Sequence, residues 1–414
     1  MPAATPPDPT LAESVTNVPS HSQIAVIGGG IAGLWLASQL SRAGYSTRLF
    51  EKTALGQGQT LASQGMIHGG IKYTLEGFTT TASETIAAMP SVWEAAIAGH
   101  GPVDLSDTRC LSKDYFLFSD SRITSRVTAF FGSKSLRGRI DALDRNDYPA
   151  ALQHPDFKGL VYRLQDLVLD TGSLLETLAR PLRPHLYRSE TTLALDAEGR
   201  VRTISTDQGP VTADYVILAA GEGTGELLAN AGIQQPAMQL RPLQQVMIEG
   251  ELPELWAHAV SLSAAAKPRV TITTHHTADG RTVWYLGGNL AETGVDRSRE
   301  AQIRFARTEM KALFPWLNFD AMRFDTFFVN RAEPAQDNHH RPDFPFCHQQ
   351  QNLIVCWPTK LTLTPMLGNQ VSNLISAPPD HRQPEQLSLP PAETGASPWE
   401  QAFGADTSAG NVRP

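Results

Sequence analysis

The amino-acid sequence predicts an α/β protein with two domains, one built around a parallel sheet and the other an α+β unit built on an antiparallel sheet. Residues 24–51 contain a strand–helix–strand pattern with a glycine-rich turn, and residues 213–221 form a further apolar strand that ends in glycine. Residues 270–274 and 282–286 have the composition of antiparallel strands. A chain of 414 residues is long enough for two or three domains of about 100–200 residues each.

The strand–helix–strand pattern can be followed element by element. Ile24–Ile27 is a short apolar run typical of a buried parallel strand, and it leads into the glycine turn Gly28–Gly33. Apolar residues then recur at helical spacing as far as Gly44, a natural helix terminator. A second strand, Thr47–Phe50, ends at Glu51.

Together these elements form the fingerprint of a Rossmann-like nucleotide-binding domain. Glycines allow the backbone to approach a pyrophosphate, the helix N-terminus faces its negative charge, and an acid about twenty residues further on accepts the ribose hydroxyls. The acid Glu51 stands where an arginine would accommodate a ribose 2′-phosphate, which argues against a nucleotide carrying that group. The fingerprint alone does not distinguish NAD from FAD.

The composition excludes several classes of protein. Lys and Arg number 34 against 42 Asp and Glu, a net charge of −8, so nucleic acid is not expected as a partner. Cys110, Cys347 and Cys356 are too few and too scattered for a disulfide framework, which favours a reducing, cytoplasmic setting. No apolar stretch reaches the roughly 18 residues of a spanning helix, so we expect no integral membrane segment. Peripheral contact with a membrane is left open.

Both ends of the chain lack the pattern of a folded core. Residues 1–20 contain no Lys or Arg and no unbroken apolar run, so a disordered leader is predicted rather than a signal peptide. Residues 377–414 are rich in Pro, Ser, Ala and Gly with few large apolar side chains, and we expect a flexible tail there.

Several segments resemble the FAD-dependent oxidoreductases related to D-amino-acid oxidase. The turn Gly28–Gly33 with Glu51 is one, and Tyr215–Leu228, YVILAAGEGTGELL, is typical of the flavoprotein members. Leu61–Tyr73, LASQGMIHGGIKY, is similar to the segment near the flavin in glycerol-3-phosphate dehydrogenases and L-2-hydroxyglutarate oxidases. Trp357–Thr362, WPTKLT, is similar to a glycine-glycine-lysine-leucine/tryptophan-threonine stretch of the former, with Trp-Pro-Thr replacing the glycines.

The resemblance extends over about residues 22–376 and implies FAD as the cofactor. It divides the chain into a discontinuous Rossmann-like FAD-binding domain and an α+β substrate domain. We assign residues 21–95, 155–235 and 325–376 to the FAD-binding domain and residues 96–154 and 236–324 to the substrate domain. The antiparallel sheet is expected to cover the flavin and to place the substrate at the domain interface.

The resemblance also assigns residues to the cofactor. Lys360 would place positive charge near the pyrimidine edge of the flavin as the flavin becomes an anion, and a helix begun by residues 361–364 would add its N-terminal dipole. A solvated surface lysine is the alternative. The expected cofactor-binding residues are Gly28, Gly30, Ile31, Ala32, Gly33, Glu51, Lys52, Thr60, Ser63, Gly221, Lys360, Leu361 and Thr362.

Four residues are candidates for catalysis. A neutral imidazole at His68 would take the hydroxyl proton of a substrate, and a histidine that only hydrogen-bonds backbone is the alternative. Lys72 and Tyr73 would offer a cation and a phenol hydroxyl to an anionic substrate. Arg331 would clamp a carboxylate or phosphate, unless it only forms an ion pair with Glu333.

Two histidine pairs, His275–His276 and His339–His340, do not indicate a metal site. Adjacent side chains point apart on a strand, and no nearby cysteine or acid completes a ligand set. We therefore expect no bound metal.

The leading functional hypothesis is an FAD-dependent dehydrogenase or oxidase that oxidises the CH–OH group of a small anionic substrate by hydride transfer to flavin. A 2-hydroxy acid and a polyol phosphate such as glycerol 3-phosphate both fit. The alternative substrate is an amine or amino acid, because Asp279–Gly288 looks like a hairpin of the superfamily's amine oxidases. A third hypothesis is a protein that retains flavin without catalysis. The electron acceptor, whether oxygen, a quinone or a carrier protein, is left open.

Overall fold

A computed structural model describes residues 19–69, 86–119, 140–260, 268–337 and 342–404. The strands in chain order are β1 (Ser20–Ile27), β2 (Thr47–Glu51), β3 (Met66–Ile67), β4 (Cys110–Ser112), β5 (Tyr115–Ser119), β6 (Ile140–Ala142), β7 (Val161–Leu164), β8 (Leu167–Leu169), β9 (Leu186–Arg188), β10 (Thr192–Leu195), β11 (Val201–Thr206), β12 (Gly209–Leu218), β13 (Met238–Glu249), β14 (Ala257–Val260), β15 (Val270–His276), β16 (Thr282–Gly287), β17 (Arg323–Pro334), β18 (Phe346–Gln350) and β19 (Leu353–Trp357).

The helices in chain order are α1 (Ile31–Arg42), α2 (Met89–Ile97), α3 (Thr171–Ala179), α4 (Thr224–Asn230), α5 (Asn289–Glu292), α6 (Arg299–Leu313), α7 (Thr364–Leu374) and α8 (Pro398–Phe403). Short 3-10 turns also occur, among them Gly221–Gly223 and Leu361–Leu363.

The first sheet has β1 at its centre, hydrogen-bonded in parallel to β12 on one side and to β2 on the other. β9 continues the parallel order beyond β2, and β19 pairs in parallel with β12. In register, Ile27 lies opposite both Leu218 and Phe50, so the three strands end side by side. The apolar strand predicted within residues 213–221 is confirmed as the end of β12, which pairs with β1. The turns that follow these strands meet at one edge of the sheet.

Helix α1 is buried on nearly all sides, with nine of its twelve residues inaccessible. It packs against the first sheet and against α3 and α7. Leu34, Trp35 and Leu40 belong to the same apolar core as Val26 of β1. The helix is therefore held rigidly, and its N-terminus is fixed at the end of β1.

The second sheet runs in the order β17-β13-β16-β15-β14-β5-β7-β6 and is antiparallel except for the pair β5 and β14. The two predicted strands are confirmed as β15 and β16, which form an antiparallel hairpin. Helix α6 contributes Met310 to the core of this sheet, where it lies with Trp284 and Phe314. Strands β3, β8 and β4 form a third, small sheet.

Two strands pair in a sheet other than the one that the predicted domain bounds would suggest. β7 and β17 belong to the second sheet, although residues 155–235 and 325–376 were assigned to the FAD-binding domain. β17 pairs with β13 along its whole length, from Arg323 opposite Glu249 to Pro334 opposite Met238. A partner some 85 residues away in sequence decides this placement, and local hydrophobic periodicity does not reveal it.

The predicted flexible tail is wrong for residues 377–404, which pack on the body of the protein. Leu389, Ala392, Trp399 and Phe403 are buried, and backbone hydrogen bonds join the segment to β9 and to the loop at Leu55. A few well-placed apolar residues are enough to anchor a segment whose average composition is polar. Residues 405–414 lie outside the described residues, as do residues 1–18 of the predicted leader, and β1 already begins at Ser20.

Across the described parts of the chain, no helix has both the length and the apolar character needed to cross a membrane.

Candidate active site

A cavity of about 920 Å³ opens beside the carboxyl ends of β1, β2 and β12. Its walls come from the glycine turn, the loop that follows β2, the turn after β12, residues 325–330 of β17 and the turn after β19. The cavity therefore lies between the two sheets, where the crevice at the ends of parallel strands is the usual ligand site of this architecture.

The glycine turn forms one end of the cavity. Gly28 has φ +110°, and a Cβ atom there would lie 2.5 Å from the carbonyl oxygen of Ala219. A Cβ atom at Gly33 would overlap the carbonyl oxygen of Gly28, so β1, the turn and α1 are as close as glycine permits. The Ile31 amide donates a hydrogen bond to Oγ1 of buried Thr60 at 3.0 Å. This contact ties the N-terminus of α1 to the loop after β2.

Glu51 is held in the position that the fingerprint predicts. Its Oε2 accepts a hydrogen bond from the Gly29 amide at 2.6 Å, and its Oε1 accepts from the Thr53 amide at 2.9 Å. The carboxylate is thus fixed against the glycine turn and lines the cavity. Lys52, beside it, forms an exposed ion pair with Glu190, whose Oε1 lies 2.8 Å from Nζ.

The turn after β12 leaves room for a ligand. Gly221 has φ +55°, and a Cβ atom at this position would meet nothing within 4 Å. Its carbonyl oxygen accepts a hydrogen bond from the Trp357 indole at 3.3 Å, which joins this turn to the end of β19. The tight glycine turn, the fixed carboxylate and this open space fit the pyrophosphate and ribose of FAD.

Lys360 lies in the cavity wall and is only 4% exposed, so the alternative of a solvated surface lysine is wrong. Its Nζ donates to the carbonyl oxygen of Asp343 at 3.2 Å. The residue follows Thr359, which has a left-handed φ of +61°, and precedes the 3-10 turn that leads into α7. Leu361 lines the cavity with it, whereas Thr362 is buried behind them.

The two segments that resemble flavin-contacting motifs are in direct contact. The His68 amide donates to Oγ1 of Thr362 at 3.1 Å, and the Trp93 indole donates to the Thr362 carbonyl at 3.0 Å. His68 is half-buried and follows β3, and it is not among the described residues that line the cavity. Lys72 and Tyr73 lie outside the described residues.

Asp166, a residue that the sequence interpretation missed, supports the His68 segment. Its carboxylate accepts a hydrogen bond from the Gly69 amide at 2.7 Å and is 3% exposed. Burial raises the pKa of Asp166 to about 7, against the opposing effect of the Gly69 hydrogen bond. Burial of Tyr115, together with the nearby Asp166 charge, raises the pKa of the Tyr115 hydroxyl well above its ordinary value. The sequence signal for this residue was an acid between two short strands, β7 and β8.

The segment before His68 is clamped to the second sheet. The Tyr285 hydroxyl donates to the carbonyl oxygen of Ala62 at 2.7 Å. Nε2 of Gln64 donates to the carbonyl oxygen of Tyr285 at 3.0 Å and to that of Thr271 at 3.3 Å. Ala62 and the adjacent Ser63 line the cavity, so the hairpin β15–β16 holds one of its walls.

Arg331 lies on β17 but does not line the cavity, although residues 325–330 and Ala332 do. Its Nη1 lies 3.4 Å from Oε1 of Glu292, and its Nε donates to the Arg241 carbonyl at 3.2 Å. The predicted alternative of an ion pair with Glu333 is wrong. Fully buried Glu333 instead receives two hydrogen bonds from Arg241, at 2.8 and 2.9 Å, because Arg241 reaches it diagonally across the strand pair.

His275, the first residue of the His275–His276 pair, is engaged in packing. His275 is buried, stacks on Trp399 with ring centroids 4.1 Å apart, and lies with Nε2 3.0 Å from Oγ1 of Thr273. Burial lowers the pKa of His275 to about 3. In the described parts of the chain no three His, Cys, Asp or Glu side chains cluster as metal ligands, and His339–His340 lie outside them.

Comparison with known proteins agrees with this geometry. A family model described as "DAO: FAD dependent oxidoreductase" matches residues 23–374. The chain is 43% identical over 388 residues to the probable FAD-dependent oxidoreductase PA4991 of Pseudomonas aeruginosa, covering 92% of this chain and 98% of PA4991. The crystal structure of PA4991 matches with a TM-score of 0.80 at 38% identity, covering 93% of this chain and 99% of that one.

Two more distant relatives have names that state a substrate. The 4-methylaminobutanoate oxidase (formaldehyde-forming) of Paenarthrobacter nicotinovorans is 28% identical over 254 residues, which are 58% of this chain and 29% of that protein. The glycine oxidase of Pseudomonas putida is 26% identical over 290 residues, 67% of this chain and 74% of that enzyme. The resemblance inferred from the sequence, the fold class and FAD as the cofactor are confirmed. The chain belongs to the DAO family of FAD-dependent oxidoreductases.

Proposed function

We propose that this oxidoreductase acts on the CH–NH group of a small amino acid or N-substituted amino acid. The observation that carries the proposal is the chemistry named for two relatives, 4-methylaminobutanoate and glycine, each of which combines an amine with a carboxylate. This choice reverses the order of the two hypotheses drawn from the sequence. The hairpin β15–β16, whose sequence resembles the amine oxidases, packs on the cavity-lining segment at Ala62, in keeping with the proposal.

The placement of His68 also favours an amine substrate. An alcohol must give its hydroxyl proton to a base in the site as its C–H bond breaks. An amine that binds in its neutral form can lose a hydride and become an iminium ion without such a base. The His68 amide is bonded to Thr362, behind the cavity-lining pair Lys360 and Leu361. In the proposal His68 supports the wall of the site, and removal of the amine proton does not depend on it.

Bound FAD supplies the acceptor for the hydride. Gly28, Gly30 and Gly33, together with Glu51, would hold its pyrophosphate and ribose. Lys360 is a buried cation in the cavity wall, and its charge would stabilise negative charge that develops on the ligand beside it.

Arg331 is proposed as the partner of the substrate carboxylate, a role that requires its side chain to turn from Glu292 into the cavity lined by its neighbours Asn330 and Ala332. Its guanidinium is 14% exposed and lies 3.4 Å from the Glu292 carboxylate, a long contact for an ion pair. If the guanidinium released the Glu292 carboxylate and bound a substrate carboxylate instead, it would form shorter, charge-assisted hydrogen bonds. Lys72 and Tyr73 remain candidates for further contacts with an anionic substrate.

Oxidation of a CH–OH group, in a 2-hydroxy acid or a polyol phosphate such as glycerol 3-phosphate, is the second candidate. One observation supports it: the motifs around His68 and Lys360, which resemble those of glycerol-3-phosphate dehydrogenases, meet through the His68–Thr362 hydrogen bond. Both candidates share a small anionic substrate, so the distinction rests on the heteroatom that is oxidised.

Matched substrate pairs test the proposal. Glycine with glycolate, alanine with lactate in both enantiomers, and 4-methylaminobutanoate with 4-hydroxybutanoate differ mainly in nitrogen against oxygen, and glycerol 3-phosphate joins the panel. Turnover is followed with a redox dye, with oxygen and with a quinone analogue, and released ammonia, methylamine and formaldehyde are measured. We expect turnover of the nitrogen member of at least one pair, with release of ammonia or methylamine from oxidation of the carbon chain or of formaldehyde from oxidation of an N-methyl group. Turnover confined to the oxygen members would contradict the proposal.

A further inference from the structure

The C-terminal segment 377–404 begins beyond residues 23–374 matched by the family model, yet it follows the first sheet closely. The Gln23 side chain donates to the Pro378 carbonyl at 2.9 Å, and Arg48 donates to the Glu385 carbonyl at 2.6 Å. Further along, the Arg188 amide donates to the Pro390 carbonyl at 2.8 Å. The segment therefore runs past β1 and β2 to the outer strand β9.

The segment then turns into the cavity. The Leu55 amide donates to the Glu393 carbonyl at 2.8 Å, and the Gly395 amide donates to the Leu55 carbonyl at 3.0 Å. Leu55 belongs to the loop after β2, which also carries Thr60 and Ser63. Beyond this backbone pairing, the segment adds four residues to the cavity wall, namely Ala396, Pro398, Gln401 and Ala402.

Helix α8 is fastened to the second sheet by side chains on its other face. Trp399 is 5% exposed, stacks on His275 with ring planes 22° apart, and meets Tyr285 edge-on at 5.8 Å. Glu400 Oε1 accepts a hydrogen bond from the Ala278 amide at 2.5 Å, and Arg281 donates to the Phe403 carbonyl at 2.5 Å. The segment thus connects the two sheets across the cavity.

We propose that residues 393–404 form a wall of the FAD site that retains the cofactor, with Gln401 facing the bound ligand and Trp399 positioning the helix that carries it. Release of FAD from a cavity between two sheets requires that one wall move away. The backbone hydrogen bonds between Leu55 and residues 393 and 395 hold one end of this wall. The stacking of Trp399 on His275 holds the other. The proposal depends on FAD binding and not on which substrate is oxidised.

Trp399→Ala removes the anchor, and Trp316→Ala is its matched control. Trp316 also stacks on a histidine, His154, with ring centroids 5.1 Å apart, and it packs against the core of the second sheet outside the cavity wall. FAD regains fluorescence on release, so its dissociation rate is read after dilution of the FAD-loaded full-length proteins, without substrate. We expect Trp399→Ala to release FAD at least about tenfold faster than wild type, and Trp316→Ala to stay within about twofold. Release at the wild-type rate from Trp399→Ala, or equal acceleration by both variants, would overturn the proposal.

A milder variant decides the question if Trp399→Ala does not fold. Gln401 is exposed in the cavity wall, so Gln401→Ala should leave the melting temperature of the flavin-free protein unchanged while FAD dissociates about threefold faster or more. Gln386→Ala changes an exposed amide of the same segment outside the cavity and serves as its control. A folded Gln401→Ala protein that releases FAD as slowly as Gln386→Ala would also overturn the proposal. Since no substrate is present, failure here is separate from failure of the proposed amine chemistry.

Discussion

Replacing Asp166 with asparagine should make the stability of the protein less dependent on pH. The folded pKa of Asp166 is about 7, against an ordinary value of 3.8, so the folded state binds this proton more tightly than the unfolded chain does. The contribution of Asp166 to the free energy of unfolding is therefore most favourable below pH 3.8 and falls as the pH rises towards 7. Two pKa values this far apart give a loss of roughly 2–3 kcal/mol between pH 5 and pH 8.

The Asp166→Asn side chain can still accept the Gly69 hydrogen bond but carries no proton to lose. Urea unfolding of the FAD-saturated protein, followed by tryptophan fluorescence at pH 5 and pH 8, gives the two free energies. Between pH 5 and pH 8 the free energy of unfolding of the variant should rise by roughly 2–3 kcal/mol relative to that of wild type. Asp207→Asn, which alters an exposed turn carboxyl, should change this difference by less than about 1 kcal/mol. Parallel profiles for wild type and Asp166→Asn would refute the assignment of a raised pKa to this carboxyl.

Three further substitutions test the site. Glu51→Arg should weaken FAD binding at least about 100-fold, because it removes the acceptor for the ribose hydroxyls and the partner of the Gly29 amide. Flavin fluorescence titration measures the affinity, and an unchanged value would show that Glu51 does not contact FAD. His68→Ala should slow flavin reduction less than about tenfold if an amine is oxidised, and a loss of about 10²–10⁴-fold would instead support the alcohol hypothesis. Arg331→Ala should raise the dissociation constant of an anionic substrate at least about tenfold, with Arg331→Lys recovering only part of it. An unchanged constant for Arg331→Ala would mark its contact with Glu292 as structural.

The sequence predicted the parts of the fold that are encoded locally. Gly28–Gly33 and Glu51 are close in sequence and joined by one strand–helix–strand unit, so their spacing determines the geometry seen in the Gly29–Glu51 hydrogen bond. The fold class and the cofactor were therefore accessible. The hydrogen bond between His68 and Thr362 joins residues 294 apart in sequence. The family resemblance placed both residues near the flavin but did not predict that they contact each other.

The features that the sequence did not reveal depend on distant partners. β17 pairs with β13 rather than with the first sheet, and no local pattern distinguishes these outcomes. Residues 377–404 looked flexible because most of them are polar or small. A few apolar side chains, Leu389, Trp399 and Phe403 among them, nevertheless bury large surfaces. Asp166 appeared as one acid among many, since its burial against the Gly69 amide is a property of the assembled fold.

Anaerobic mixing of the FAD-loaded protein with substrate, followed by flavin absorbance, tests the central claim most directly. The measurement reports the first half-reaction alone and does not depend on the electron acceptor. The account predicts that an amino acid or N-methylated amino acid bleaches the flavin within a single turnover, while the matched hydroxy acid at the same concentration does not. Bleaching by the hydroxy acid or by glycerol 3-phosphate, with the amines inert, would contradict it.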